Sequence, residues 1–428
     1  MTLHVAAAMG ASMAALLSCS NDEVEEVNLG EEITFSTSMS RATEVTTPDQ
    51  LKGFYVWAVA DGYKSMFING DEAKIDNPST NSNSFTLPKS YFWPKEVDRI
   101  QFWAYGPSGK HTEDNLGLDV TPDITVDGQV FKNVTPKQDL ADGGKDQRDF
   151  LVAYTSIERT KVTGWSVPMH FGHALSQVEV HARLGANSDK IVRVRGAWIV
   201  GVKSKGTLSF KADDAATASD EGLIQGTVNN MDWSTSTTDL TSYGVVLGQK
   251  VDLNASKPTT LIGGIDNSSL MLIPQTTPGI GFNKDGVGSN GAYILVLCRV
   301  EAEHAGTDHP STGNPSDKDP IHVENGKHYH QLFPESDSYD ADAYGYTCVP
   351  IDIKWEPGKK YIYTLEFCGA DSGAGMYPPA PGEGFPTEGV SPMPSDKTEG
   401  EHVLTDPIKF SVTVGEWTEA KTDVNDAH

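Results

Sequence analysis

Histidine is the side chain best suited to chemistry near neutral pH, and five of the chain's twelve histidines fall in one polar stretch: His304, His309, His322, His328 and His330. Such a cluster, set among carboxylates, could bind a metal, and His328 and His330 would share one face of an extended strand. Neither a cysteine pair nor an H-E-x-x-H pattern accompanies them, so solvated loop histidines are the better reading. With 59 acidic residues, close carboxylate pairs are unavoidable and none stands out as an acid–base couple. G-x-S-x-G, Walker and dinucleotide fingerprints are absent. No metal, no cofactor and no catalytic residue is therefore expected, and the chain does not read as an enzyme. Trp57, Trp93 and Trp103 could line a carbohydrate platform, but their period-two settings assign them to a core.

The cysteines carry a different chemistry. Cys19 closes an apolar run ending Leu16-Leu17-Ser18-Cys19. That run has the form of a lipobox, after which the cysteine sulfur is acylated and becomes the mature N-terminus. The apolar stretch is too short to span a bilayer, so residues 1–19 read as a lipoprotein signal segment. Residues 1–12 contain no Lys or Arg, which a start placed inside a longer signal would explain. The run Ser20-Asn21-Asp22-Glu23 resembles the acidic tag of surface-exposed lipoproteins. Lipid on Cys19 would then anchor the chain in an outer membrane, each buried methylene contributing about 0.8 kcal/mol. Cys298 lies in an apolar run and suits a core. Cys348 and Cys368 flank a turn around Pro357-Gly358, and a bond between them is left open.

A chain of 428 residues suits two or three domains at about 100–200 residues each. The net charge of −26 argues against nucleic acid, which needs a basic face, and against peripheral binding to anionic lipid. Charged residues at 21% and hydrophobic residues at 38%, with 41 Gly and 24 Pro, describe a globular, turn-rich chain.

Nearly every ordered segment alternates or is a short apolar run bounded by Gly, Pro, Asn or Asp. Examples are Gly53–Ala60, Ile100–Tyr105, Phe150–Tyr154, Leu175–Val180, Ala292–Val300, Tyr361–Phe367 and Ile408–Val414. This is the pattern of an all-β chain folded as sandwiches, without βαβ units. Trp165–His170 forms a plausible junction. The expected domains are an N-terminal sandwich over 20–170 and a C-terminal one over 171–428, with long loops at 301–345 and 369–404.

Several blocks resemble one known family in the same order. They are the lipobox; Glu32-Ile33-Thr34-Phe35-Ser36 before Arg41-Ala42-Thr43; Asp149–Ala153; Phe171-Gly172-His173-Ala174-Leu175; Trp355–Leu365; and Pro407–Trp417. Together they are similar to the fimbrillins, the type V pilins. The resemblance implies two transthyretin-like β-sandwich domains in tandem, export as a lipoprotein, and polymerisation into surface fimbriae. It further implies cleavage by an arginine-specific surface protease that removes the first strand, and refilling of the groove by a C-terminal strand from the next of the other pilus subunits.

The residues fit that scheme. Ile33, Phe35 and Met39 fall on one face of an extended strand, making it the candidate removable strand. Ile408, Phe410, Val412 and Val414 form a second apolar row, the candidate donor or last strand. Arg41 is the sole arginine between Cys19 and Arg99 and precedes Ala42, which places the expected cut between them. After Trp417 only a polar tail remains, so a subunit that accepts a strand but gives none is open as well. The competing reading is a monomeric surface lipoprotein that binds glycan or a host ligand.

Overall fold

The computed structural model describes residues 32–39, 51–76, 83–108, 118–138, 147–210, 222–226, 231–263, 270–282, 290–304, 321–324, 327–336, 339–404 and 406–417. Cys19, Arg41 and Ala42, and with them the expected lipidation and cleavage, lie outside the described residues. The fold is all-β: strands and a single 3-10 turn at Arg159–Lys161 make up the regular structure of the described residues. None of their helices is long and apolar enough to cross a membrane.

Seven strands of the N-terminal half close into a barrel. Starting at Leu151–Glu158, the order runs through Arg99–Gly106, Gly53–Ala60, Ile68–Ile75, Ser84–Thr86, Thr34–Met39 and Ser166–His173, which pairs back to Leu151–Ala153. Gly53–Ala60 is buried along almost its whole length because it is covered on both sides. Phe54, Val56, Ala58 and Ala60 point into the barrel, while Trp57 and Val59 point outward into a second core. Two-sided burial explains why this strand reads as a continuous apolar run. Trp57, Trp93 and Trp103 are all buried, so no exposed aromatic platform forms from them.

The outer core is roofed by a four-stranded sheet built from both sides of residue 170. Leu118–Ile124 and Gln129–Pro136 pair with Gly206–Phe210 and Met231–Thr235. Beyond it, a sandwich is formed by the sheet of Ser176–Leu184, Lys359–Phe367 and their neighbours, packed on the long strands Lys190–Lys203 and Tyr293–His304. Ser176–Leu184 and Lys359–Phe367 run parallel through eight consecutive partners, from Gln177–Lys360 to Leu184–Phe367.

Two features differ from the sequence reading. Residues 301–345 contain strands at Ile321–Glu324 and Lys327–Phe333, which pair as a hairpin. Residues 369–404 carry little regular structure yet form a packed cover. Phe385 meets the Trp198 ring edge-on at 5.5 Å, and the Tyr346 hydroxyl donates to the Pro386 carbonyl at 2.8 Å. Cys298, Cys348 and Cys368 are free thiols, so the 348–368 bond left open above is not formed.

Candidate functional site

Thr34–Met39 is positioned by two neighbours of opposite sense. It runs parallel to Ser166–His173 over six partners, from Thr34–Ser166 to Met39–Phe171, and antiparallel to Ser84–Thr86 over only two. Alternation sends Ile33 and Phe35 into the barrel, where both are buried. The Phe35 ring sits edge-on between Phe54 at 5.8 Å and Phe102 at 5.7 Å. Met39 continues the strand backbone next to Phe171.

The outward side of this strand is polar. Ser38 Oγ lies 2.9 Å from His170 Nδ1, and burial pulls the His170 imidazole below its ordinary value. Asn83 clasps the backbone at Thr37. Its Oδ1 accepts from the Thr37 amide at 3.2 Å and from the Thr37 hydroxyl, and its amide donates to the Thr37 carbonyl. The strand is thus held by one long ladder, one short ladder, two apolar side chains and one side-chain clasp. Removing it would strip the Ser166–His173 edge and open the aromatic core, a combination that favours capture of another strand.

The last strand is built differently. Lys409–Glu416 pairs antiparallel with Lys359–Glu366 through eight partners at the rim of its sheet, and no residue in it is buried. Phe410, Val412 and Val414 are 39%, 40% and 56% exposed. They share a face with Leu365, Tyr363 and Tyr361, which are buried core residues, so this rim overhangs the sandwich beyond its facing sheet. Of the expected apolar row, only Ile408 is buried. Ile408 and Trp417 secure the two ends of the strand. Trp417 is buried against the N-terminal half, its ring flat on His173, whose Nδ1 lies 2.6 Å from Asp149.

Among the described residues, no group of three or more potential ligands could hold a metal, and His309 lies outside them. A cavity of about 350 Å³ lies under the 369–404 cover, with Tyr346, Tyr377 and Phe385 in its wall and Glu335 and Glu399 as its charged residues. Sequence reasoning missed it, because its wall is assembled from a segment whose prolines signal only irregular chain.

An all-β chain whose N-terminal strand closes a barrel wall and whose last strand lies on an exposed sheet rim is the architecture these residues define. Residues 40–374 match the fimbrillin-like family model, and the chain belongs to that family. No curated protein matches the sequence. Among solved structures, a fimbrial protein from Bacteroides vulgatus is 13% identical with a TM-score of 0.51, covering 91% of this chain and 100% of its own. A fimbrial assembly protein from Parabacteroides distasonis is 8% identical with a TM-score of 0.32, covering 78% of this chain and 91% of its own.

Proposed function

We propose that this protein is a structural or adhesive subunit of a cell-surface pilus. It is exported as a lipoprotein acylated on Cys19, held in the outer membrane, cut between Arg41 and Ala42 by an arginine-specific protease, and joined to other pilus subunits by strand exchange. Family membership supports the pilus role. The observation that carries the exchange step is the opposition of the two strands: Ile33 and Phe35 are buried in the barrel wall, while Phe410, Val412 and Val414 lie uncovered. We read the chain as two transthyretin-like sandwiches meeting near residue 170. The Gly206–Phe210 and Met231–Thr235 strands would reach back to complete the N-terminal one.

Mild trypsin digestion, followed by N-terminal sequencing and size exclusion, tests this reading. A new terminus at Ala42 with detergent-resistant higher-order species is expected, and Arg41→Ala abolishes both. A polymer that retains residues upstream of Arg41 would overturn the cleavage step.

One observation favours a second reading, adhesion to a small ligand. The cavity under the 369–404 cover pairs aromatic faces with the Glu335 and Glu399 carboxylates, groups that together suit a sugar ring and its hydroxyls. Glycan binding that is unaffected by Arg41→Ala and lost in Tyr346→Ala would separate it from the polymer role.

A further inference from the structure

The two strands are related in sequence as well as in exposure. Ile33-Thr34-Phe35-Ser36-Thr37-Ser38-Met39 and Ile408-Lys409-Phe410-Ser411-Val412-Thr413-Val414 share Ile, Phe and Ser at the same spacing, and a hydroxyl residue follows at Ser38 and Thr413. One copy of this pattern is caged, and the other leaves Phe410, Val412 and Val414 exposed.

Resting on the strand-exchange reading above, we propose that the last strand of one copy enters the groove of the next in a single register, parallel to Ser166–His173. Ile408 takes the place of Ile33, Phe410 that of Phe35, Val412 that of Thr37 and Val414 that of Met39. The partner is a second copy of this chain.

Three local features select this register. The cage between Phe54 and Phe102 is filled by a phenyl ring, and only alignments that set Phe410 at the Phe35 position return one to it. A slip of two residues brings Ile408 or Val412 there, leaving a void along both rings. A slip of one turns Lys409, Ser411 and Thr413 inward. Reversing the strand with Phe410 kept in the cage puts Pro407 at the Ser38 position, where it has neither an amide for the ladder nor a hydroxyl for His170.

The polar contacts transfer equally well. Asn83 reads the amide and carbonyl of residue 37, which Val412 also possesses, so only the Thr37 hydroxyl contact is lost. The Thr413 hydroxyl arrives where Ser38 meets His170. Lys409 takes the outward, partly exposed position of Thr34.

Intermolecular disulfide trapping tests the register. Full-length Thr413→Cys and His170→Cys chains are mixed, protease-treated and oxidised, with Ser411→Cys plus His170→Cys as the slipped control. The strand partners Ser38 and His170 set the required spacing. The expected result is a covalent 413–170 dimer with at least tenfold less of the 411–170 product. A polymer ladder without the 413–170 bond, or with the 411–170 bond dominant, overturns the register and leaves strand exchange standing. Absence of any ladder in the unsubstituted protein overturns both. As a second measurement, Phe410→Ala should leave the monomer's Tm unchanged and cut ladder yield at least tenfold. A ladder at the unsubstituted level overturns the anchoring role of Phe410.

Discussion

Trp417 lies flat on His173, ring centroids 4.3 Å apart and planes 11° from parallel. This contact ties the end of the last strand to the N-terminal half. The Trp417 amide donates to the Gly358 carbonyl at 2.9 Å, and the indole joins the core beneath the four-stranded sheet. Between Ile408 and Trp417 the strand is held by its ladder and by surface ion pairs, Lys359–Glu416 and Lys409–Asp371. Such exposed pairs contribute little, about 0–1 kcal/mol each. Its retention on its own chain therefore depends mostly on backbone pairing and two end anchors.

Trp417→Ala should loosen this strand selectively. Truncating a buried tryptophan costs about 3–5 kcal/mol where the site cannot collapse. The loss falls on a segment with no buried side chain of its own, so local opening precedes global unfolding. Hydrogen exchange of the 409–416 amides should accelerate strongly while the Gly53–Ala60 amides keep their protection. Equal protection in both variants would show that the ladder alone holds the strand.

Phe35 and Phe410 occupy matching positions in two similar segments but contrasting environments, so the same substitution should separate them. Phe35→Ala empties a cage between two rings and should cost about 3–5 kcal/mol. Phe410→Ala removes a ring already 39% exposed and set beside Tyr363, centroids 6.4 Å apart, and should stay close to ±0.5 kcal/mol. Thermal unfolding of the two monomers checks the difference. Comparable losses would mean that the last strand packs more closely than its exposure indicates.

That contrast marks where the sequence was legible. Alternation found both strands and assigned each an apolar face, because period two is a property of the extended backbone itself. It could not say that the facing sheet stops short of Phe410, Val412 and Val414, since coverage depends on elements distant in sequence. Burial of both faces of Gly53–Ala60 was visible as an unbroken apolar run. The return of Gly206–Phe210 to pair with Gln129–Pro136 was not, because the choice of partner between segments distant in sequence leaves no periodic mark on either. The Asn83 clasp was missed for a similar reason: an asparagine in a polar stretch reads as a turn residue.

Arg299 and Glu301 form a second buried feature that motif reading passed over. Both are 1% exposed, Arg299 Nε donates to Glu301 Oε1 at 2.7 Å, and Arg193 reaches the other carboxylate oxygen. Burial alone would raise the Glu301 carboxyl, but hydrogen bonds and charge from Arg299 and Arg193 outweigh it and hold the group below its ordinary value. A depressed carboxyl stabilises the fold above its unfolded-state pKa, and that stability is lost as pH falls through the folded value. Acid unfolding should therefore steepen below about pH 4.3, the ordinary glutamate value. Glu301→Gln should flatten that dependence while costing about 3–5 kcal/mol at neutral pH, because it leaves buried guanidinium charge uncompensated. A parallel pH profile in the variant would assign acid lability elsewhere.

On the proposed strand-exchange reading, Asn83 would set how readily the first strand leaves. After cleavage near Arg41, Thr34–Met39 would be held by its six-partner ladder with Ser166–His173, its two-partner ladder with Ser84–Thr86, the packing of Ile33 and Phe35, and the Asn83 clasp at Thr37. The clasp lies on the side of the short ladder, where few other bonds compensate. Asn83→Ala should therefore weaken retention by about 0.5–1.5 kcal/mol, the net contribution of a hydrogen bond whose partners water can reach. At about 1.4 kcal/mol per tenfold change, that is roughly a 2- to 12-fold faster release of the cleaved segment. The same clasp would receive Val412 of an incoming strand, so the variant should also hold its polymer less firmly. Release of the cleaved peptide, followed by mass spectrometry, and ladder survival in warm detergent measure the two effects. Faster release with an unchanged ladder would show that the incoming strand does not use Asn83 and that its docking differs from that of the strand it replaces.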